Sequence, residues 1–165
     1  MFKNLKPDLA VANCTQIPFD FLEKHCVKGL LIDVDNTIAK DGAREIDPAA
    51  KQFILKAMDR GIRVCLMSNN VPERIAPLAD ELGCQSLGKA GKPKKQAYLN
   101  AANEIGLDVA DTAMIGDQLF TDIWGANKMG IPSILVRPID KNEIITIRLK
   151  RPFEKIVLFF HRIKR

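Results

Sequence analysis

The chain is poor in the residues that build soft-metal and disulfide sites. It has two histidines, His25 and His161, and four cysteines, Cys14, Cys26, Cys65 and Cys84, with no Cys-x-x-Cys pair. Zinc-site spacing is therefore absent. Cys65 and Cys84 lie in apolar, strand-like runs and read as reduced core residues. Aromatic side chains are also scarce, with one Trp and one Tyr. A basic, aromatic-rich surface for stacking bases is not evident, which ranks nucleic acid below lipid as a partner. Long apolar runs are missing too. The longest late run, Ile156–Phe160, is far too short to cross a bilayer. Met1–Asp8 lacks the apolar stretch of a secretory leader. The expectation is a reducing, cytoplasmic setting.

What is present fits one soluble domain over residues 1–165. The formal charge of +5 is unevenly placed. Residues 148–165 hold seven basic residues and one acid, Glu154, so the body before them is close to neutral. A basic tail implies an anionic partner. Phe153, Ile156, Val157, Phe160 and Ile163 follow helical spacing there, with Lys155, Arg162, Lys164 and Arg165 interspersed. Such a basic amphipathic helix either lies in a membrane interface, as a peripheral contact, or docks on the domain. Pro7–Phe21 is apolar and irregular, and either covers a sheet edge or touches membrane.

Strand-like and helix-like stretches alternate five times. Val27–Val34, Ile62–Met67, Cys84–Leu87, Thr112–Ile115 and Ser133–Val136 read as strands. Asp47-Pro48 opens a helix, with Asp as cap and Pro at the first position. Further helices are expected over Glu73–Leu82, Lys94–Ile105 and Gln118–Met129. The alternation predicts an α/β fold with a five-stranded parallel sheet covered by helices on both faces. In such sheets the crevice lies outside the carboxyl ends of the strands. The notable polar residues fall at those ends: Asp33 and Asp35, Ser68 and Asn69, Lys92, and Asp117 and Asp122.

Asp33 and Asp35 are two residues apart at the end of an apolar strand, so they start on one side. Two carboxylates there are costly unless a cation, a shared proton or a division of labour relieves them. The series Asp33-Val-Asp35-Asn-Thr37, Ser68-Asn69-Asn70, Lys92-Pro93 and Gly116-Asp117-x-x-x-Thr121-Asp122 resembles the four motifs of the haloacid-dehalogenase superfamily of phosphohydrolases, over about residues 28–138. More narrowly it is similar to the YqeG family, a capless class IIIA branch that includes phosphatases converting phosphatidylglycerophosphate to phosphatidylglycerol.

The resemblance implies a Rossmann-like three-layer sandwich and a catalytic core over 28–138. It implies Asp33 as nucleophile and Asp35 as general acid and base. Mg²⁺ would be held by Asp33, Asp117 and the backbone carbonyl of Asp35, with Asp122 either supporting the metal shell or anchoring Lys92. Ser68, Thr37, Asn69 and Lys92 would face the phosphate, and Thr121 would cap or pin the helix. Lys94 and Lys95, at a helix start where the dipole disfavours cations, hint at substrate contact.

The intervals between Asp35, Ser68 and Lys92 are too short for a cap domain. An open site favours a large or surface-bound phosphate ester, foremost an anionic phospholipid. A phosphatase acting on a nucleic-acid end or a phosphoprotein is the second reading. A non-catalytic lipid- or RNA-binding protein on the same fold is the third. The loop after Thr37, Ile-Ala-Lys-Asp-Gly-Ala-Arg-Glu, lacks the proline and tryptophan expected of many relatives, so the leaving group is the least constrained part of the reading.

Overall fold

A computed structural model describes residues 3–140 and 151–160. Six parallel strands make one sheet: β1 (Leu9–Val11), β2 (Gly29–Asp33), β3 (Arg63–Met67), β4 (Gln85–Leu87), β5 (Thr112–Gly116) and β6 (Ser133–Val136), in the order β1-β6-β5-β2-β3-β4. From β2 the chain builds outward to β3 and β4, then returns to β5 on the other side. The order therefore reverses between β2 and β5, and their carboxyl ends border the crevice where such sheets bind ligands.

The apolar residues of β2 show why it is central. Leu30 and Ile32 enter one core with Phe53 and Ile54 of α2 (Pro48–Asp59) and with Ile75 and Leu78 of α3 (Pro72–Leu82). Leu31 enters the opposite core with Ala97, Tyr98 and Ala101 of α4 (Lys95–Glu104). Period-two alternation thus feeds two helical layers from one fully buried strand. Asp47 caps α2 as expected, accepting from the Ala49 and Ala50 N–H groups at 3.0 Å.

Three expectations need correction. The sheet has six strands, not five. The supposedly irregular N-terminal stretch contains β1, which pairs with β6 and so covers a sheet edge, followed by α1 (Phe19–Lys24). Asp8 fixes this register, accepting from the Ser133 N–H and hydroxyl at 2.9 and 3.1 Å. The helix expected over Gln118–Met129 begins instead with a wide π-helical turn, Leu119–Ile123, and becomes α5 only at Trp124–Met129. The Tyr98 hydroxyl donates to the Thr121 and Asp122 carbonyls, at 2.8 and 3.1 Å, and so satisfies backbone that the wide turn leaves open.

The C-terminal helix α6 (Arg151–Phe160) docks on the domain. Val157 and Leu158 pack with Leu5, Leu119, Ile123 and Leu135, and buried Glu154 accepts from the Leu119 N–H at 2.8 Å. Phe153, Ile156 and Phe159 are exposed. The remaining basic tail, 161–165, lies outside the described residues. Among the described residues, no helix is long and apolar enough to cross a membrane.

Gly125 lies so close to Tyr98 that any Cβ there would overlap the phenol ring. Gly125→Ala should therefore lower stability by about 1–3 kcal/mol through overpacking, seen as a lower urea midpoint at unchanged slope. An unaltered midpoint would show that the π turn does not depend on this contact.

Candidate active site

The site collects side chains from four strand ends. β2 finishes at Asp33, which is 5% exposed. One of its oxygens accepts from the Lys92 ammonium at 2.5 Å and the other from the Thr37 hydroxyl at 2.9 Å. Lys92 reaches in from the loop after β4 and also donates to Asp122 Oδ1 at 2.7 Å. Asp122 Oδ2 accepts from the Gln118 N–H at 3.1 Å, so this carboxylate ties the lysine to the π turn. Gly116, at the end of β5, must be glycine because a Cβ would collide with the Asp122 carboxylate. Asp117 follows it and is fully buried.

Asp35 faces different partners. The chain turns at Asn36, whose φ is +60°. The Asp35 carboxylate then accepts from Ser68 Oγ at 3.2 Å, from Asn70 Nδ2 at 2.7 Å and from the Arg74 guanidinium. The two aspartates are relieved by two separate cations, Lys92 for Asp33 and Arg74 for Asp35. Burial pushes the Asp33 carboxyl up to about 7, against the downward pull of Lys92. Burial acts to lower the Lys92 ammonium, but Asp122 and Asp33 outweigh it and hold it above the ordinary lysine value.

Asp33, Asp117 and Asp122 offer carboxylate oxygens within 4.8 Å of one another. All three carboxylates are buried. An all-oxygen donor set of this kind suits a hard divalent cation.

Other expected residues sit nearby in distinct ways. The Asn69 amide is spent on the lysine loop: its oxygen accepts from the Gly91 and Lys92 N–H groups at 3.0 and 2.8 Å, and its nitrogen donates to the Lys92 carbonyl at 3.2 Å. Thr121 contributes its carbonyl to Tyr98. Lys94 and Lys95 are exposed at the start of α4. Arg74 and Tyr98 were not expected in the site. Arg74 had a signal, since a cation in the first turn of α3 opposes the helix dipole. Tyr98 had none, because a tyrosine in a helical apolar stripe looks like any core residue. Cys14 and Cys65 are buried thiols pushed up to about 12, and Cys84 to about 11, by burial, as suits inert packing residues.

A family model described as haloacid dehalogenase-like hydrolase matches residues 33–130. The chain is similar to "Probable phosphatase YqeG" of Bacillus subtilis, 32% identical over 152 residues that cover 92% of this chain and 88% of that protein. It is also similar to phosphatidylglycerophosphate phosphatase 1, chloroplastic, of Chlamydomonas reinhardtii, 28% identical over 142 residues. That match covers 81% of this chain, which spans only about half of the algal protein, 53%. Among solved structures, an uncharacterized protein from Listeria monocytogenes serotype 4b shares the fold with a TM-score of 0.56 at 16% identity, covering 83% of this chain and 100% of that one. Four motifs converging at the strand ends, a family match across the core and a relative aligned nearly end to end agree: the chain belongs to the haloacid dehalogenase-like hydrolases, in the branch of the YqeG phosphatases.

Proposed function

We propose that the protein is a Mg²⁺-dependent phosphatase working through an aspartyl-phosphate on Asp33, with phosphatidylglycerophosphate at an anionic membrane surface as substrate. The observation that carries this reading is the division between the two aspartates. Asp33 is bound by Lys92 and Thr37, and Asp35 by Ser68, Asn70 and Arg74, with no shared partner. One can be a nucleophile while the other handles a proton.

An Asp33 oxygen attacks phosphorus as the bond to the leaving oxygen breaks, and Asp35 delivers a proton to that oxygen. Water then attacks the phosphorus of the acyl phosphate and gives its proton to Asp35. Inorganic phosphate leaves and the Asp33 carboxylate is restored. Lys92 screens the charge spread over the phosphoryl oxygens, and the Thr37 and Ser68 hydroxyls turn to those oxygens when substrate enters. Asp33 and Asp117 would hold Mg²⁺, while Asp122 spends its oxygens on Lys92 and Gln118. When bound, the ion supplies positive charge that lets an anionic phosphate approach a carboxylate.

The lipid assignment is supported by the similarity to a protein named for phosphatidylglycerophosphate. The outer face of α6 supports it too: Phe153, Ile156 and Phe159 are 64, 50 and 80% exposed, in a segment whose sequence is rich in Lys and Arg. Exposed apolar side chains in a segment of basic sequence fit an anionic bilayer interface.

Asp33→Asn should abolish phosphate release, because an amide cannot form the acyl phosphate. Asp35→Asn should slow release by about 10²–10⁴-fold. Near-normal turnover by purified Asp33→Asn protein would rule out the covalent route. Mg²⁺ binding has its own signature. The cation takes the carboxylate form of Asp33, which burial raises to about 7. Affinity should therefore fall as pH drops below about 7 and level off above it, and calorimetry in two buffers of different ionisation enthalpy should detect the released proton. A pH-independent affinity would place the ion elsewhere. Replacing Phe153, Ile156 and Phe159 together by Ser should weaken flotation with phosphatidylglycerol vesicles while turnover of a soluble phosphomonoester persists. Undiminished flotation would remove the membrane role of this face.

A further inference from the structure

Arg74 is spent oddly for a residue that only orients Asp35. Its side chain is 18% exposed, and its Nη2 donates to Asp35 Oδ1. The contact is one-armed, because Asp35 Oδ2 already accepts from Asn70 Nδ2 at 2.7 Å and from Ser68 Oγ at 3.2 Å. A guanidinium built to hold a carboxylate presents its parallel two-donor fork. Here Nε is buried and has no hydrogen-bond partner among the described residues. A buried N–H without an acceptor is a cost that a ligand oxygen would remove.

The uneven cover of Asp35 points the same way. Oδ2 accepts from both Asn70 and Ser68, while Oδ1 accepts from Arg74 alone. A leaving oxygen therefore meets this carboxyl at Oδ1, beside the Arg74 guanidinium. Of the three donors, Arg74 has the greatest attraction to a further anion, because Asn70 and Ser68 are neutral.

We propose that Arg74 is the subsite for a second anionic group of the substrate, a phosphate joined to the leaving oxygen through a short alkyl or polyol spacer. This second phosphate takes up the free donors of the guanidinium, including Nε, while the leaving oxygen meets Asp35 Oδ1 beside it. Arg74 is then a specificity residue that favours phosphomonoesters carrying a neighbouring phosphodiester over simple ones. The inference rests on the reading of Asp35 as proton donor, and it names the chemistry recognised beyond the scissile phosphate.

The test compares two soluble esters, propyl phosphate and a propyl phosphate whose far end carries a methyl phosphodiester. Wild type, Arg74→Ala and Arg74→Lys are assayed for phosphate release with Mg²⁺. In the wild type, kcat/KM should favour the phosphodiester-bearing ester by roughly tenfold to hundredfold, as a charge-assisted contact provides. Arg74→Ala should collapse that ratio towards one, whatever happens to the absolute rates. Arg74→Lys, which keeps the charge and loses the fork, should retain part of it. A wild-type ratio near one, or equal losses on both esters in Arg74→Ala, would overturn the proposal and leave Arg74 as a positioning residue for Asp35. The same ratio, read as Kd from the two methylene-phosphonate analogues, decides the subsite even if neither ester is turned over. Failure on phosphatidylglycerophosphate vesicles with the Arg74-dependent ratio intact would count against the lipid substrate and not against the subsite.

Discussion

The Lys92 ammonium lies between the Asp33 and Asp122 carboxylates, at 2.5 and 2.7 Å, and hardly any of the three side chains reaches solvent. Taking such charges out of water is costly, and their mutual attraction offsets the cost only with close geometry and further hydrogen bonds. Both conditions hold here. Thr37 completes Asp33, the Gln118 N–H completes Asp122, and the Asn69 amide fixes the backbone from which Lys92 projects. The end of β2, the loop after β4 and the turn after β5 are each held by this one cation. Deleting one partner of a buried ion pair strands the others, typically at about 3–5 kcal/mol. In the proposed mechanism Lys92 turns from Asp33 towards a phosphate while keeping Asp122, so catalysis and fold stability would draw on the same side chains.

Close approach elsewhere follows from that requirement. Asp122 can reach Lys92 only because Gly116 leaves room for its carboxylate against the end of β5. The turn bearing Asp122 is wider than an ordinary helical turn, and the Tyr98 hydroxyl takes up the carbonyls this exposes. Gly125 in turn makes room for the Tyr98 ring. Two glycines and one tyrosine thus set where the lysine anchor stands.

Much of this was legible in the sequence, for physical reasons. A fully buried parallel strand such as Leu30-Leu31-Ile32 is continuous in apolar residues, and Gly61, Gly83, Gly106 and Gly130, all at positive φ, follow the helix ends, so the alternation of elements could be read along the chain. Polar residues at the strand ends marked the crevice because an α/β sheet offers its ligand sites there. The features that escaped depend on distant partners. β1 is three residues long and gains its register from Asp8 meeting Ser133, 125 positions away. The π turn has its carbonyls satisfied by a tyrosine on another helix, and local periodicity carries no trace of that partner. Arg74 carried only the weak signal of a cation at a helix start, and its partner Asp35 is set by the turn at Asn36, far before it in the chain. The alternative roles for Asp122 were open in the sequence, and the hydrogen bonds of both its oxygens favour the anchor.

The bond from the Leu119 N–H to Glu154 gives the C-terminal helix a second character. Leu119 opens the same turn that carries Asp122, and Val157 and Leu158 cover its apolar side. The helix is thus a wall of the Asp122 turn on one face and exposes apolar side chains on the other. It cannot be regarded as a detachable tether. A cleavage, fusion or truncation that removes it would uncover Leu119, Ile123 and Leu135 and leave a buried backbone donor unsatisfied. Whatever presses on the outer face of this helix presses, through one carboxylate, on the turn that holds the lysine.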